Sequence, residues 1–179
     1  LRIACEVAGT LAQIHDRQII HRDISGSNIL VAEDAPRDRG VPLGEHGGAY
    51  LIDFGCASTV GQESKQAVFP FDALVDTYAY ISPDPTGRMN RSADYRTDLY
   101  SLGVTLYELF TGRLPFQASD PLEMIYCHIA RQPVPPHELD AEIPRSVSDI
   151  ILKLLAKNAE DRYQTARGLQ SDLKTCLDQ

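Results

Sequence analysis

Four helix-like segments follow one another in the second half of the chain, and they leave little room there for a β-sheet. Apolar residues recur in these segments at intervals of three and four, the spacing that places them on one face of an α-helix. Gly112 follows the first segment directly, and a glycine is typical of a helix end. The predicted helices cover residues 95–111, 122–131, 147–157 and 166–177. Residues 94–178 are therefore expected to form a helical subdomain.

The first half combines one helix with short strands and long loops. Helical spacing of apolar residues predicts a helix over residues 1–18, and β-prone triplets predict strands at residues 29–31 and 50–52. Residues 32–49 separate the two strands by far more than the roughly 2–5 residues of a hairpin loop, which predicts an inserted loop. Residues 53–85 show no sustained periodicity and are expected to be irregular and functional. We expect one mainly α-helical domain over residues 1–179, with a short β-ribbon.

Composition excludes several classes of protein. The net charge is −8, from 17 basic and 25 acidic residues, and the basic residues are scattered. No nucleic-acid or anionic-membrane footprint is therefore expected. The most apolar run, residues 99–110, is far shorter than the roughly 20 residues of a membrane span. The four cysteines lie far apart without a Cys-x-x-Cys pair, which argues against a zinc site and favours reduced thiols in a cytoplasmic protein.

Two short motifs carry the residues best suited to catalysis. His-Arg-Asp at residues 21–23 is followed by Asn28 at the start of the first strand, and Asp-Phe-Gly at residues 53–55 directly follows the second strand. Either tripeptide alone is a weak signal, because a loop aspartate is commonly a turn former or a helix cap. Their order and spacing make the pattern specific. Phosphoryl transfer needs such a set, one carboxylate to orient a hydroxyl and oxygen ligands for Mg²⁺.

With these motifs, the chain resembles the C-terminal lobe of eukaryotic-type serine/threonine protein kinases. The resemblance covers essentially the whole chain, and residues 83–116 resemble the kinase domain of large hybrid serine/threonine and histidine sensor kinases. It implies phosphoryl transfer from ATP to Ser or Thr hydroxyls of a protein substrate. Asp23 would act as the base, and Asn28 and Asp53 would hold Mg²⁺ and the nucleotide. It also implies further signalling domains in the parent chain.

The resemblance assigns supporting roles to other residues. Thr77 would contact Asp23, and Leu30 would form the floor of the adenine site. Asp98 would hold the catalytic loop by its backbone. Arg162 would form a largely buried ion pair with Asp84, which stands near the end of the activation segment, residues 53–85, where the family carries the longer glutamate. The residues with a structural or regulatory role are His21, Arg22, Phe54, Gly55, Asp84, Asp98 and Arg162.

The chain departs from the family pattern in several respects, two of which bear on activity. It contains no glycine-rich phosphate loop, no strand lysine and no helix glutamate, so we expect that the N-terminal lobe is missing and that the isolated fragment is inactive. Ser25 stands where serine/threonine kinases carry a lysine that neutralises the transferring phosphate. An alternative function is therefore a pseudokinase or scaffold that relays signals to attached domains. Ser25 favours that alternative, whereas Asp23, Asn28 and Asp53 oppose it.

Some residues receive no role or remain open to two interpretations. Arg22 would either dock a phosphorylated residue of the activation segment or be kept without that role. Cys56 is interpreted as a small packing residue rather than a redox sensor. Solitary histidines without a shared ligand spacing are usually surface or core residues. No role is therefore assigned to His15, His46, His128 and His137.

Overall fold

The computed structural model describes residues 1–32, 48–60, 78–84 and 94–178. The helices are α1 (Arg2–Asp16), α2 (Arg96–Thr111), α3 (Pro121–Ala130), α4 (Pro136–Leu139), α5 (Arg145–Leu154) and α6 (Ala166–Leu177). The strands are β1 (Ile19–Ile20), β2 (Ile29–Val31), β3 (Ala49–Leu51) and β4 (Ser58–Thr59). The predicted mainly α-helical fold with a short β-ribbon is confirmed.

Helix α2 is the centre of the domain. Every residue from Thr97 to Tyr107 is buried, so this helix packs against neighbours on all sides. Gly103 lies where a side chain would approach Leu154 to 2.7 Å, so the missing Cβ lets α5 pack close to α2. Gly112 ends the helix with φ of 69°, a left-handed conformation that glycine adopts without strain. The predicted helix end at this glycine is confirmed.

Helix α1 forms a second layer against the core. Its apolar stripe is buried where α1 packs on α6 and β3. The stripe continues through His15 in the last turn, whose side chain is 8% exposed. Gln18 follows with φ of 60°, so the chain turns out of the helical path soon after Asp16. The predicted helix over residues 1–18 was therefore too long at its C-terminal end.

Two antiparallel ribbons connect these layers to the loops. β2 pairs with β3, with Ile29 opposite Leu51 and Val31 opposite Ala49. β1 pairs with β4, which lies inside the segment expected to be irregular, and that expectation was wrong for residues 58–59. The pairing was not predictable from the sequence because a two-residue strand has no periodicity. Residues 33–47 of the predicted inserted loop lie outside the described residues.

Other helix boundaries differ from the predictions for identifiable reasons. α3 begins at Pro121, one residue earlier than predicted, because the Asp120 side chain accepts a hydrogen bond from the Glu123 N–H and proline suits the first helical position. The proline-rich stretch of residues 133–136 follows α3, and α4 begins at its last proline, Pro136. In the described ranges, none of the helices is both long and apolar enough to cross a bilayer.

His128 on α3 is fully buried in an aromatic environment. Its Nδ1 lies 2.9 Å from the Tyr100 hydroxyl, and its ring meets those of Tyr100 and Phe116 edge-on. Burial, with the charge of Lys157 as a smaller cause, lowers the pKa of His128 from its usual 6.5 to about 4. The imidazole is therefore neutral in the folded chain at neutral pH, whereas the unfolded chain would protonate it below about pH 6.5.

His128 should make the chain acid-sensitive. Because its pKa is lower in the folded state, its contribution to stability is complete above pH 6.5 and is lost as the pH falls toward 4. Wild type should lose about 2–3 kcal/mol more unfolding free energy between pH 7 and pH 4.5 than His128→Gln. Urea unfolding at both pH values measures the difference. Equal acid losses in the two proteins would contradict the prediction.

Candidate active site

The β2–β3 ladder brings the two sequence motifs together. With Ile29 opposite Leu51, the next pair along the ribbon is Asn28 and Ile52, and the Ile52 N–H donates to the Asn28 carbonyl at 3.0 Å. Asp53 follows Ile52 directly, so strand register places it beside Asn28. The motifs are distant in sequence, and hydrogen bonding between two short strands makes them neighbours.

Asn28 also fixes the orientation of Asp23. Its Nδ2 donates to the Asp23 backbone carbonyl at 2.8 Å and to the Asp23 carboxylate oxygen Oδ2 at 2.9 Å. Both partners are acceptors, so the NH₂ group faces them and Oδ1 is left for another partner. Asn28 is buried while Asp23 is exposed. A buried amide therefore aims an accessible carboxylate.

His21 joins the catalytic loop, residues 21–28, to the second motif. Its ring is fully buried, and Nε2 lies 3.1 Å from the Ile52 carbonyl while Nδ1 lies 3.3 Å from the Asp23 N–H. The carbonyl can only accept and the N–H can only donate, so Nε2 carries the hydrogen and Nδ1 accepts. Phe54 packs edge-on against the same ring at a centroid distance of 4.6 Å. One imidazole thus fixes the position of both motifs.

Two residues of the site have left-handed backbones. Asp53 has φ of 59° and Arg22 has φ of 69°, a region that costs non-glycine residues of order 1–3 kcal/mol each. The Asp53 Oδ1 accepts from the Gly55 N–H at 3.0 Å, which stabilises the turn locally. Such conformations persist only where surrounding contacts hold them, and they cluster at functional sites. Asp53 itself is exposed, so its carboxylate is accessible to a ligand.

Asp98 on α2 holds the loop of residues 21–28 through its backbone. Its side chain is fully buried, and its two oxygens accept from the backbone N–H groups of His21 and Arg22, each at 2.8 Å. A third donor is the His15 Nε2, 2.9 Å from Oδ2. Sequence reasoning assigned no role to His15. Its place on the apolar stripe of α1, four residues after Leu11, was the signal that its ring would be buried.

Arg162 forms the predicted pair with Asp84. The guanidinium is 2% exposed, and its NH1 lies 2.6 Å from the Asp84 Oδ2. Its remaining N–H groups donate to the carbonyls of Ala156, Lys157 and Arg96. The Ser82 hydroxyl also donates to the Asp84 carboxylate. The aspartate arm is therefore long enough to reach its partner, and it ties residues 82–84 to α2 and to the segment before α6.

The oxygens of this site suit a hard divalent cation. The Asp53 carboxylate is exposed, and the neighbouring Asn28 Oδ1 is free of hydrogen bonds from the described residues. Both are oxygen ligands of the type that Mg²⁺ prefers. Over the described ranges no group of three His, Cys, Asp or Glu side chains could enclose a metal ion. Mg²⁺ is commonly bound through one or two carboxylates together with substrate phosphates, so the donor set fits such a partly open site.

The remaining predicted site residues occupy varied environments. Leu30 lies on β2 opposite Tyr50 and is 54% exposed. Ser25 is buried, and its hydroxyl lies 2.8 Å from that of Ser27. The Arg22 Nε is buried and has no hydrogen-bond partner among the described residues. Thr77 lies outside the described residues, so its predicted contact with Asp23 stays a prediction.

Comparisons with known proteins agree with this geometry. A family model described as the protein kinase domain matches residues 2–173. The chain is 32% identical over 173 residues to the serine/threonine-protein kinases PknB of Mycolicibacterium smegmatis and of Mycobacterium tuberculosis, covering 97% of this chain and 25% of each relative. It is 52% identical over 98 residues to hybrid signal transduction histidine kinase G of Dictyostelium discoideum, covering 55% of this chain and 3% of that protein. The chain thus spans about a quarter or less of these relatives.

The buried pair should be strongly coupled. Arg162→Ala leaves the buried Asp84 carboxylate without its cation, and Asp84→Ala leaves the buried Arg162 guanidinium without its anion. Each substitution should therefore destabilise the fold by about 3–5 kcal/mol. The double variant should lose less than the sum, because both changes remove the same interaction. Thermal and urea unfolding of the variants measure this coupling.

The exposed pair of Arg167 and Asp16 is the matched control. Arg167→Ala should cost about 0–1 kcal/mol, since both groups are solvated. Additive losses from Arg162→Ala and Asp84→Ala would show that the buried pair contributes no coupling and would refute the prediction.

Proposed function

The chain belongs to the protein kinase domain family, and from that premise we propose that it is the C-terminal, substrate-handling part of a serine/threonine protein kinase. The reaction is transfer of the γ-phosphoryl group of ATP to a Ser or Thr hydroxyl of a protein substrate. The observation that carries the proposal is the Asp23 carboxylate, held by the buried Asn28 amide beside the accessible Asp53.

Asp23 acts as the residue that orients the attacking hydroxyl. Its Oδ2 is occupied by the Asn28 amide, so the exposed carboxylate presents its other oxygen to a substrate. A carboxylate at this position accepts the hydrogen bond of the hydroxyl and takes its proton as the new bond to phosphorus forms. In the described ranges no lysine or arginine lies within ion-pair distance of Asp23.

Asn28 and Asp53 are the proposed ligands of Mg²⁺. When bound with ATP, the ion neutralises negative charge on the phosphates. The protein contributes the orientation of its own oxygens: the amide of Asn28 is fixed by Asp23, and the left-handed backbone of Asp53 is held by its turn to Gly55. Leu30 offers an exposed apolar side chain on the neighbouring strand, where a planar adenine can pack.

Exposed apolar side chains lie on the strands next to these ligands. Leu30 and Tyr50 stand opposite each other on β2 and β3, Phe54 lies in the loop that follows β3, and all three are at least 39% exposed. Exposed apolar groups this numerous mark a surface that another group covers. We propose that the nucleotide and an N-terminal lobe of the parent protein cover it, with further signalling domains attached as in the hybrid kinase relative. The need for ATP and Mg²⁺ favours a cytoplasmic place of action.

A scaffold without turnover is the competing function, and Ser25 is the observation that favours it. In the proposed enzyme, negative charge on the transferring phosphoryl group needs stabilisation, and Ser25 supplies a hydroxyl where the family supplies a cation. The carboxylates and amide of the site support turnover instead. Two sets of variants separate these functions.

Removal of either carboxylate should stop the reaction in different ways. In the parent kinase, Asp53→Ala should abolish Mg²⁺-dependent turnover, whereas Asp23→Asn should lower kcat by about 10²–10⁴ and leave ATP affinity nearly unchanged. Radiolabelled phosphate transfer and equilibrium nucleotide binding measure the two effects.

The exposed Asp149 on α5 provides the matched control, and Asp149→Asn should retain full activity. This 179-residue chain alone should show no transfer, because nothing in it replaces the lysine and glycine loop that hold the triphosphate. Full activity in Asp23→Asn or Asp53→Ala would refute the roles assigned to these carboxylates, whereas a wild-type parent that transfers no phosphate would favour the scaffold.

Ser25→Lys should raise kcat of the parent kinase, since it returns a positive charge to the place where phosphoryl charge develops. Ser25→Met is the control, because methionine adds length and removes the bond to Ser27 without adding charge. Initial rates of both variants, normalised to thermal stability, separate charge from size. An unchanged or lower rate in Ser25→Lys would indicate that another cation already serves this role.

A further inference from the structure

Residues 78–81 are held between helices α2 and α3. Tyr78 and Ala79 are at most 3% exposed, and the Ser101 hydroxyl on α2 donates to the Tyr80 carbonyl at 2.7 Å. On the other side, the Tyr78 side chain belongs to a small apolar cluster, separate from the main core, that it forms with Phe116, Met124 and Cys127. The last two of these lie on α3. The course of this short segment therefore depends on the position of α3 relative to α2.

His128 is a polar link between these two helices. It lies on α3, is fully buried, and its Nδ1 is 2.9 Å from the Tyr100 hydroxyl on α2. The Tyr100 ring also packs against the Arg162 guanidinium, whose Cζ lies 4.9 Å from the ring centroid. Arg162 in turn pairs with Asp84. Tyr100 thus joins His128 to the ion pair that holds residues 82–84.

The second ring nitrogen of His128 completes the link to residues 78–79. Nε2 is buried and makes no full hydrogen bond with the described residues. Backbone groups of Tyr78 and Ala79 nevertheless raise the pKa of His128, against the larger lowering by burial. A backbone carbonyl favours the protonated ring, whereas an N–H group opposes it, so carbonyls of this segment lie near the ring. Because a carbonyl can only accept, the neutral ring carries its hydrogen on Nε2 and accepts from Tyr100 at Nδ1.

Packing alone does not account for a histidine at this position. A buried imidazole has two polar nitrogens, and each costs free energy unless it has a partner. An apolar side chain of similar size would avoid that cost, but it would leave the buried Tyr100 hydroxyl without its bond to Nδ1 and residues 78–79 without a donor. The histidine therefore supplies two polar contacts, one to α2 and one to the segment.

We propose that His128 is a positioning residue for the protein substrate. From α3 it fixes residues 78–79 against α2, and with them the backbone of residues 80–81. These residues follow Thr77, the predicted contact of Asp23, so they border the place where a substrate hydroxyl must reach that carboxylate. The inference rests on the proposed kinase activity of the same site. His128 contacts neither substrate nor nucleotide in this proposal, and its effect is on the binding of the protein substrate rather than of ATP.

The test compares three substitutions of residue 128 in the full-length parent kinase. His128→Leu removes both polar contacts, His128→Asn keeps a polar group near Nδ1 but is too short to reach residues 78–79, and His128→Gln carries an N–H group at about the position of Nε2. The probe is the Ser- or Thr-containing peptide that wild type phosphorylates best in a degenerate peptide array.

The three variants should differ in KM for this peptide. His128→Leu and His128→Asn should raise it about five- to tenfold, the change expected when a hydrogen bond that supports binding is lost. His128→Gln should stay within about twofold of wild type, and kcat and KM for ATP should stay within about twofold in all three, because only binding of the peptide is weakened. Initial rates at varied peptide and ATP concentrations measure these constants.

Amide hydrogen exchange gives a readout that does not depend on activity. The Ile81 N–H donates to the Tyr78 carbonyl at 3.3 Å, so its protection reports on the conformation of this segment. It should exchange faster in His128→Leu and His128→Asn than in wild type, and His128→Gln should restore its protection. The matched control is His137, whose Nδ1 lies 2.8 Å from the hydroxyl of the buried Ser148 on α5. His137→Leu should lower the melting temperature without changing KM for the peptide or the exchange of Ile81.

Two results would overturn the inference. One is a His128→Leu protein that keeps the wild-type KM for the peptide and the wild-type exchange of Ile81, which would leave His128 a structural role only. The other is a His128→Gln protein as impaired as His128→Asn, a comparison that also decides the question if His128→Leu does not fold. A wild-type parent without kinase activity would instead refute the proposed function, and the exchange of Ile81 would still decide whether His128 positions the segment.

Discussion

The buried carboxylate of Asp98 is the interaction on which the site depends. It lies on the most enclosed helix of the domain, and a charge buried there is tolerable only with a full set of hydrogen bonds. Backbone N–H groups of residues 21–22 supply two of them, so the need of the carboxylate for donors becomes a constraint on the loop. The left-handed Arg22 is one consequence, because its amide must point at the carboxylate.

Beyond Asp98, the parts of the site are connected by hydrogen bonds to backbone groups. His21 donates to the Ile52 carbonyl, and the Ile52 N–H donates to the Asn28 carbonyl. These bonds connect the loop with the strand that ends at Asp53. The same two short strands would be weak in isolation, because a two-stranded ribbon is marginal in water. The helical core that holds both ends of the loop makes the ribbon stable enough to set the distance between Asp23, Asn28 and Asp53.

The pair of Asp84 and Arg162 holds a second segment, residues 82–84, against the helical core. Among the described residues Arg162 is the largest fully buried side chain, and its hydrogen bonds to three carbonyls and one carboxylate satisfy most of its donors. Buried ion pairs add little net stability compared with apolar packing, but they do not tolerate the loss of a partner. In this chain the pair of Asp84 and Arg162 matters for geometry, since it holds residues 82–84 at one position relative to α2.

The sequence by itself predicted most of the helices and named the candidate residues of the site. The burial of one helix face produces a periodic pattern within a single segment, so the sequence alone reveals it. Gly112 marked a helix end because glycine adopts the left-handed conformation of that position without strain. The motifs at residues 21–28 and 53–55 named Asp23, Asn28 and Asp53 because their chemistry is carried by residue type and order. Tertiary structure alone decided that β4 pairs with β1, that the short helix α4 starts at Pro136, and that His15 reaches Asp98. Those features arise from contacts between distant segments. A two-residue strand leaves no periodic trace in the chain, and the apolar stripe that places His15 on the buried face of α1 does not identify its partner.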